Sequence, residues 1–176
     1  MDGRIGTFEL MRAGEAELDF VMATERIEGY EALVGRSTEA QHRACLADGR
    51  HAYFVGQRDG VPVGFVIIRD WQSWDGVALV KRIAVTRPGQ GNGSALLRRA
   101  VDRIFEDTNC WRLAIGLFPT NLRARRTYEG AGFRVEGIAR GTVFYRGEHH
   151  DELVMALLRP DWEAARTPSS PRAIDA

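Results

Sequence analysis

The sequence predicts an α/β fold: a mixed, mostly antiparallel central sheet of about seven strands with helices on both faces. Three observations predict it. Apolar runs of strand length recur along the chain, and two of them flank the turn Arg58-Asp59-Gly60, which makes a hairpin. Twice a β run leads through a short turn directly into a stretch with helical spacing, after residue 86 and after residue 118. The 176 residues suit one compact domain and are too few for two of full size.

In chain order, residues 5–10 read as a strand. Residues 15–27 and 30–34 have mixed helical spacing (Leu18, Val21, Met22), with a break near Glu28-Gly29. Ser37 resembles an N-cap for a helix over 38–47, which Asp48-Gly49 stops. Strands follow at 51–57, 61–70 and 77–86, the last after a loop with two tryptophans. Leu96, Leu97, Val101 and Ile104 mark a helix over 94–106. Residues 111–118 are a strand, 122–130 a helix ending at Gly130-Ala131-Gly132, and 133–144 and 152–158 the last two strands. From Arg159 the periodicity fades. Residues 1–160 are therefore expected as a single domain, with 161–176 a C-terminal segment and mobile tail.

Lys+Arg and Asp+Glu balance at 24 each, so a polyelectrolyte partner such as duplex nucleic acid is not expected. No stretch approaches the ~20 apolar residues that span a bilayer, and no signal peptide is visible, so a cytoplasmic domain without a membrane partner is expected. Cys45 and Cys110 stand far apart and read as reduced packing residues.

The chemistry concentrates in two places. In Gly89-Gln90-Gly91-Asn92-Gly93-Ser94 a β run reaches three glycines and a helix begins at once. Glycines permit positive φ and a close ligand approach. The first N–H groups of a helix lack internal acceptors and carry partial positive charge. Such a turn suits a pyrophosphate, although a tight strand-to-helix connection with no ligand uses the same residues. It is neither a P-loop nor a dinucleotide fingerprint. The second place is Asn121-Leu-Arg-Ala124-Arg125-Arg126-Thr-Tyr128, where Asn121, Arg125 and Tyr128 share one helix face. An amide, a cation and a phenol there suit an amide-rich chain, a phosphate and a proton transfer. The plainer alternative makes them a helix cap, a solvated arginine and a half-buried core tyrosine.

Together these stretches resemble the GNAT (GCN5-related N-acetyltransferase) superfamily, from about Gly56 to Leu158. The glycine turn is similar to its acetyl-CoA pyrophosphate loop, and Asn121-x-x-Ala124-x-x-x-Tyr128-x-x-x-Gly132-Phe133 to its signature helix and following strand. Asn121-Leu-Arg-Ala-Arg and Gly132-Phe133-Arg-Val-Glu-Gly resemble the branch of ribosomal-protein alanine and spermidine acetyltransferases. The resemblance implies an N-acetyltransferase that moves the acetyl group of acetyl-CoA to a primary amine by direct attack in a ternary complex. The backbone at Ile83-Ala84-Val85 would hold the pantetheine, and N–H groups of Gly89, Gln90, Gly91, Asn92, Gly93 and Ser94 the pyrophosphate. Asn121 would bond the pantetheine, Arg125 approach the nucleotide phosphates, and Tyr128 protonate the departing thiolate. Pro88 stands where the family commonly has Arg or Gln, with Arg87 one residue earlier. Many relatives carry a basic glutamate where this chain has Val80-Lys81-Arg82. Glu28, Asp75 and His149-His150-Asp151-Glu152 are the alternatives for proton relay, and Glu28 and Asp75 the candidates for amine binding. Glu25, Glu28 and Glu31 offer an acidic rim, or an ordinary solvated face. No metal is expected, although His149, His150 and Asp151 are metal-type ligands. A homodimer through residues 133–158 and a non-catalytic acetyl-CoA-binding sensor or subunit also fit the resemblance.

Overall fold

The computed structural model describes residues 6–167. Seven strands form one sheet: β1 (Phe8–Ala13), β2 (His51–Arg58), β3 (Val61–Arg69), β4 (Val77–Val85), β5 (Arg112–Leu117), β6 (Arg134–Tyr145) and β7 (Glu148–Leu158). Their order is β1-β2-β3-β4-β5-β7-β6, and every pair is antiparallel except β4 with β5. The expected fold class is the observed one.

Helices cover the two faces unequally. α1 (Leu18–Glu25) and α2 (Glu39–Ala47) lie on one face; α3 (Asn92–Asp107), α4 (Leu122–Gly130) and α5 (Arg159–Arg166) lie on the other. The α3 face holds the larger core, with Leu96, Leu97, Ile104 and Phe105 packed on Val66, Ile68, Leu113, Ile115 and Met155. The α1–α2 face packs Leu18, Val21, Tyr30 and Val34 against Ala13 of β1 and against β2, β3 and β4, on Tyr53, Val55, Phe65, Ile67 and Ala84. Among the described residues no helix covers that face of β5, β6 and β7.

Several boundaries differ from the sequence reading. The first strand runs Phe8–Ala13 because its ladder with β2 pairs Phe8 with Arg58 through Ala13 with Tyr53. Residues 30–34 form turns rather than a helix. Thr38, not Ser37, caps α2: its side chain accepts from Gln41 N, and Gln41 Oε1 accepts from Thr38 N at 2.8 Å. β7 begins at Glu148, so His149, His150 and Asp151 lie in a hairpin with β6. Residues 159–166 form α5 where the periodicity fades. Arg159-Pro160 opens the helix, Trp162 stacks on Phe105 with ring centroids 5.2 Å apart, and Trp162 Nε1 donates to Asp102 at 2.9 Å. The tail expected beyond Thr167, and Ile5, fall outside the described residues.

Candidate active site

The site begins as a defect in the sheet. β4 and β5 pair only from Val77 with Arg112 to Val80 with Ile115, although β4 continues to Val85 and β5 to Leu117. Past Val80 both strands have a free edge, and a cleft of about 250 Å³ opens beside Ile83, Ala84 and Val85 of β4, with the following turn and α4 in its walls. The register with β3 supplies the cause. Ile67 faces Arg82 while Ile68 faces Val80, so Lys81 is the extra residue of a β-bulge that twists β4 aside. The bulge also turns Lys81 and Arg82 to the same face, where Lys81 Nζ lies 3.4 Å from His51 Nε2 and Arg82 pairs with Glu25.

The free edge of β4 carries usable backbone groups. The Thr86 N–H donates to Val63 O at 2.9 Å. Alternate residues of an antiparallel strand turn their N–H and C=O to opposite sides. Ala84 therefore faces β3 with Thr86, and Ile83 and Val85 face the split. The Val85 carbonyl accepts a hydrogen bond from the Tyr30 hydroxyl at 2.6 Å. This leaves the Val85 N–H and both groups of Ile83 to an extended, amide-bearing ligand.

The glycine turn closes the far end of the cleft, where Pro88, Gly89, Gly91, Gly93 and Ser94 line it. Gly89 and Gly91 have φ of 86° and 75°, and a Cβ on either would meet nothing within 4 Å. Backbone conformation, not crowding, requires glycine there. α3 starts with no side-chain cap and no acidic residue in its first turn, so its leading N–H groups face outward unanswered. The residues present thus fit a pyrophosphate. Asn92 is buried, and its Oδ1 accepts from Arg58 Nε at 2.9 Å, so its side chain braces the turn and only its N–H is left to a ligand. Gln90 and Arg87 are exposed and do not line the cleft.

From α4 the cleft receives Asn121, Arg123, Ala124, Thr127 and Tyr128. Asn121 caps the helix, its Oδ1 accepting from Ala124 N at 3.1 Å, which leaves its amide N–H₂ to donate into the cleft. Arg125 points away: its Nε donates to Glu129 Oε1 at 2.9 Å, and Arg123 is the α4 cation that lines the cleft. Tyr128 is buried beside Phe133, and its hydroxyl has no hydrogen-bond partner among the described residues. Burial pushes its phenol up to about 12, which keeps it protonated at neutral pH. On the opposite face of the sheet Tyr30, Leu33 and Val34 form the other wall. Burial raises the Tyr30 phenol as well. Tyr30 and Arg123 carry no signal in the sequence, because neither sits at a motif spacing.

The acidic candidates separate. Glu25 is fully buried between Arg82, His42 and Arg26, and Glu31 pairs with Arg36 at 3.7 Å, so no acidic rim forms from them. Glu28 is exposed in the turn before Tyr30. Asp75 lies two residues before β4, whose run from Val77 to Val85 spans roughly 26 Å at the usual rise per residue. It accepts from Ser73 Oγ at 2.7 Å and from Val77 N at 3.2 Å, bonds that lower its carboxyl below the ordinary range. His149 and His150 bond to the carbonyls of Gly141 and Tyr145, 2.9 and 3.2 Å away, and Asp151 accepts from Gly141 N, so the three do not converge. Cys45, Asp48 and His51 do come together, unanticipated, with Lys81 Nζ 3.8 Å from Cys45 Sγ. No helix among the described residues is long and apolar enough to cross a membrane.

Known proteins share this architecture. The spermidine/spermine N-acetyltransferase SpeG from Vibrio cholerae superposes with a TM-score of 0.74 at 19% identity, covering 91% of this chain and 97% of that one. The ribosomal-protein-S18-alanine N-acetyltransferase from Escherichia coli gives 0.70 at 21%, covering 86% and 94%. In sequence, the probable N-acetyltransferase YjcK of Bacillus subtilis is 40% identical over 75 residues, 43% of this chain and 41% of that protein. The putative ribosomal N-acetyltransferase YdaF of the same organism is 33% identical over 84 residues, 48% and 46%. The chain thus matches less than half the length of these two relatives. A family profile described as "Acetyltransferase (GNAT) family" matches residues 20–133, which include the split, the glycine turn and α4. The chain belongs to the GNAT acetyltransferase family.

Proposed function

We propose that the protein is an acetyl-CoA-dependent N-acetyltransferase that acetylates a primary amine by direct attack. The observation that carries this reading is the split between β4 and β5, with anion-binding N–H groups at one end and a protonated, unpartnered phenol in its wall. The pyrophosphate would lie on Gly89–Ser94 N–H groups, with Arg123 nearby, and the pantetheine would add itself along Ile83 and Val85, bonded also by the Asn121 amide. Pro88 contributes no N–H, so the turn would bind through the glycines and the first turn of α3.

Backbone donors at the split would polarise the thioester carbonyl. Tyr128 would give its proton to the departing sulfur, and it stands protonated at neutral pH to do so. The family and the two similar solved structures, a polyamine and a ribosomal-protein acetyltransferase by name, support an amine acceptor. Exposed Val135, Ile138 and Phe144 on the edge strand β6 support a homodimer through the C-terminal strands, and a cytoplasmic location belongs to the same reading.

Release of CoA thiol from acetyl-CoA, measured against a panel of peptide α-amines, polyamines and small amines, tests the reading. Amine-dependent release that drops on the order of 10²-fold or more in Tyr128→Phe is expected. Tight acetyl-CoA binding with no amine-dependent release would identify a binding module instead.

A further inference from the structure

The uncovered face of β5, β6 and β7 carries a carboxylate with no role in the fold. Glu152 has no hydrogen-bond or ion-pair partner among the described residues, and it is only partly exposed. Its side chain reaches from β7 across to β5 and fills the space above Gly116; a Cβ at 116 would overlap the carboxylate. Burial raises its carboxyl above the ordinary range, as expected for a group with no compensating cation. An unpaired, half-buried carboxylate costs stability, so its persistence asks for a partner.

Gly116 fixes where this carboxylate stands. It is the next residue on β5 after Ile115, which makes the last pair with β4. It therefore marks the apex of the split. A pantetheine running from the glycine turn back along Val85 and Ile83 brings its thioester toward that apex. Tyr128 belongs to the α3 face and Glu152, like Gly116, to the opposite one. On the acetyltransferase reading, the acid and the carboxylate would stand on opposite sides of the sheet about the reacting carbon.

The surroundings of Glu152 suit a cation. His150 shares its face two residues along β7, and Phe118, just past the end of β5, stands two residues beyond Gly116. Phe118, Tyr145 and His150 stack on one another with ring centroids 5.9 to 6.3 Å apart. Aromatic faces beside a carboxylate form a pocket for an ammonium group. The Tyr145 hydroxyl, moreover, is a buried polar atom with no hydrogen-bond partner among the described residues, an unmet bond in the same cluster.

Resting on the acetyltransferase reading, we propose that Glu152, above Gly116 and beside the Phe118–Tyr145–His150 cluster, binds the acceptor as its ammonium ion and takes a proton from it. The freed amine attacks the thioester carbonyl carbon, a C–N bond forms and the C–S bond breaks. Tyr128 protonates the sulfur, and the second N–H proton of the adduct returns to the Tyr128 oxygen through water. Glu152 then releases its proton to solvent, so that ammonium and acetyl-CoA become amide, CoA thiol and one free proton. The acceptor class this selects is a primary amine that arrives charged.

The test compares alaninamide, an ammonium ion at neutral pH, with 3,3,3-trifluoroalaninamide, whose amine is largely neutral there. In Glu152→Gln, kcat/KM for alaninamide should fall on the order of 10²-fold while KM for acetyl-CoA stays within twofold. The trifluoro analogue should lose less than tenfold, a difference that a purely structural role would not produce. Binding of alaninamide in the presence of CoA, followed by saturation-transfer NMR, should weaken at least tenfold in the same variant. Gly116→Ala, which displaces the carboxylate without removing it, should reproduce the pattern in milder form. Equal losses for both amines, or unchanged kcat/KM and binding, overturn the role of Glu152 and leave acetyl transfer standing. A wild-type protein with no amine-dependent release of CoA thiol overturns acetyl transfer, and this role with it.

Discussion

Tyr128 shows how one side chain serves both packing and chemistry. Its ring belongs to the core on the α3 face, while its hydroxyl reaches the cleft without a protein partner. Its phenol is pushed up to about 12 from an ordinary value of 10.0 by burial. The folded state therefore keeps a proton that the unfolded chain loses first. The stability this represents is complete below about pH 10 and is lost as pH rises through about 12; at ~1.4 kcal/mol per unit it amounts to roughly 2–3 kcal/mol. Denaturant unfolding at pH 9 and pH 11.5 should show a larger loss in the wild type than in Tyr128→Phe. An equal loss would show that the phenol is not buried as described. The spacing from Asn121 to Tyr128 was legible in the sequence, because a helix places those positions by its period. The choice between Arg123 and Arg125 was not. A helical wheel gives relative directions, and only the docking of α4 shows which side meets the cleft and that Glu129 holds Arg125.

Elements carried by strong periodicity, α3 above all, were readable to within two residues at each end. The bulge at Lys81 was not, since a bulge is a mismatch between two strands and no single strand records it. α5 escaped for a related reason: its eight residues have Trp162 as their main apolar anchor, and Asp102 and Glu106 on α3 supply the partners of Arg166. Trp162→Ala should accordingly cost about 2 kcal/mol, read from the denaturant midpoint, and leave acetyl transfer intact. Truncation of a surface passenger would cost far less. At the glycine turn, Gly91→Ala forces an alanine into a φ of 75° with open space around it. The expected penalty is ~1 kcal/mol in stability, with a several-fold rise in KM for acetyl-CoA and little change in kcat. An unchanged KM would mean that the turn does not hold the pyrophosphate.

At the scale of the molecule, unequal coverage of the sheet positions the chemistry. Helices on both faces of β2, β3 and β4 make that half rigid, whereas β5, β6 and β7 keep one face open beside the cleft. Composition and element order were enough to anticipate the sheet, and no local pattern could reveal which half stays bare. The same asymmetry leaves β6 as an edge strand with Ile138 49% and Phe144 67% exposed. Sedimentation should find a dimer that Ile138→Glu with Phe144→Glu converts to monomers; a monomeric wild type would refute the dimer. The split also governs the time course of the protein's breathing. The two halves of the sheet are stitched by only four residue pairs between β4 and β5. The amide hydrogens of Ile83 and Val85 have no strand beside them to slow their exchange with deuterated water. Acetyl-CoA lying there would act as the missing strand, so its arrival should be recorded as slowed exchange at Ile83 and Val85 while Ala84, already bonded to β3, keeps its rate.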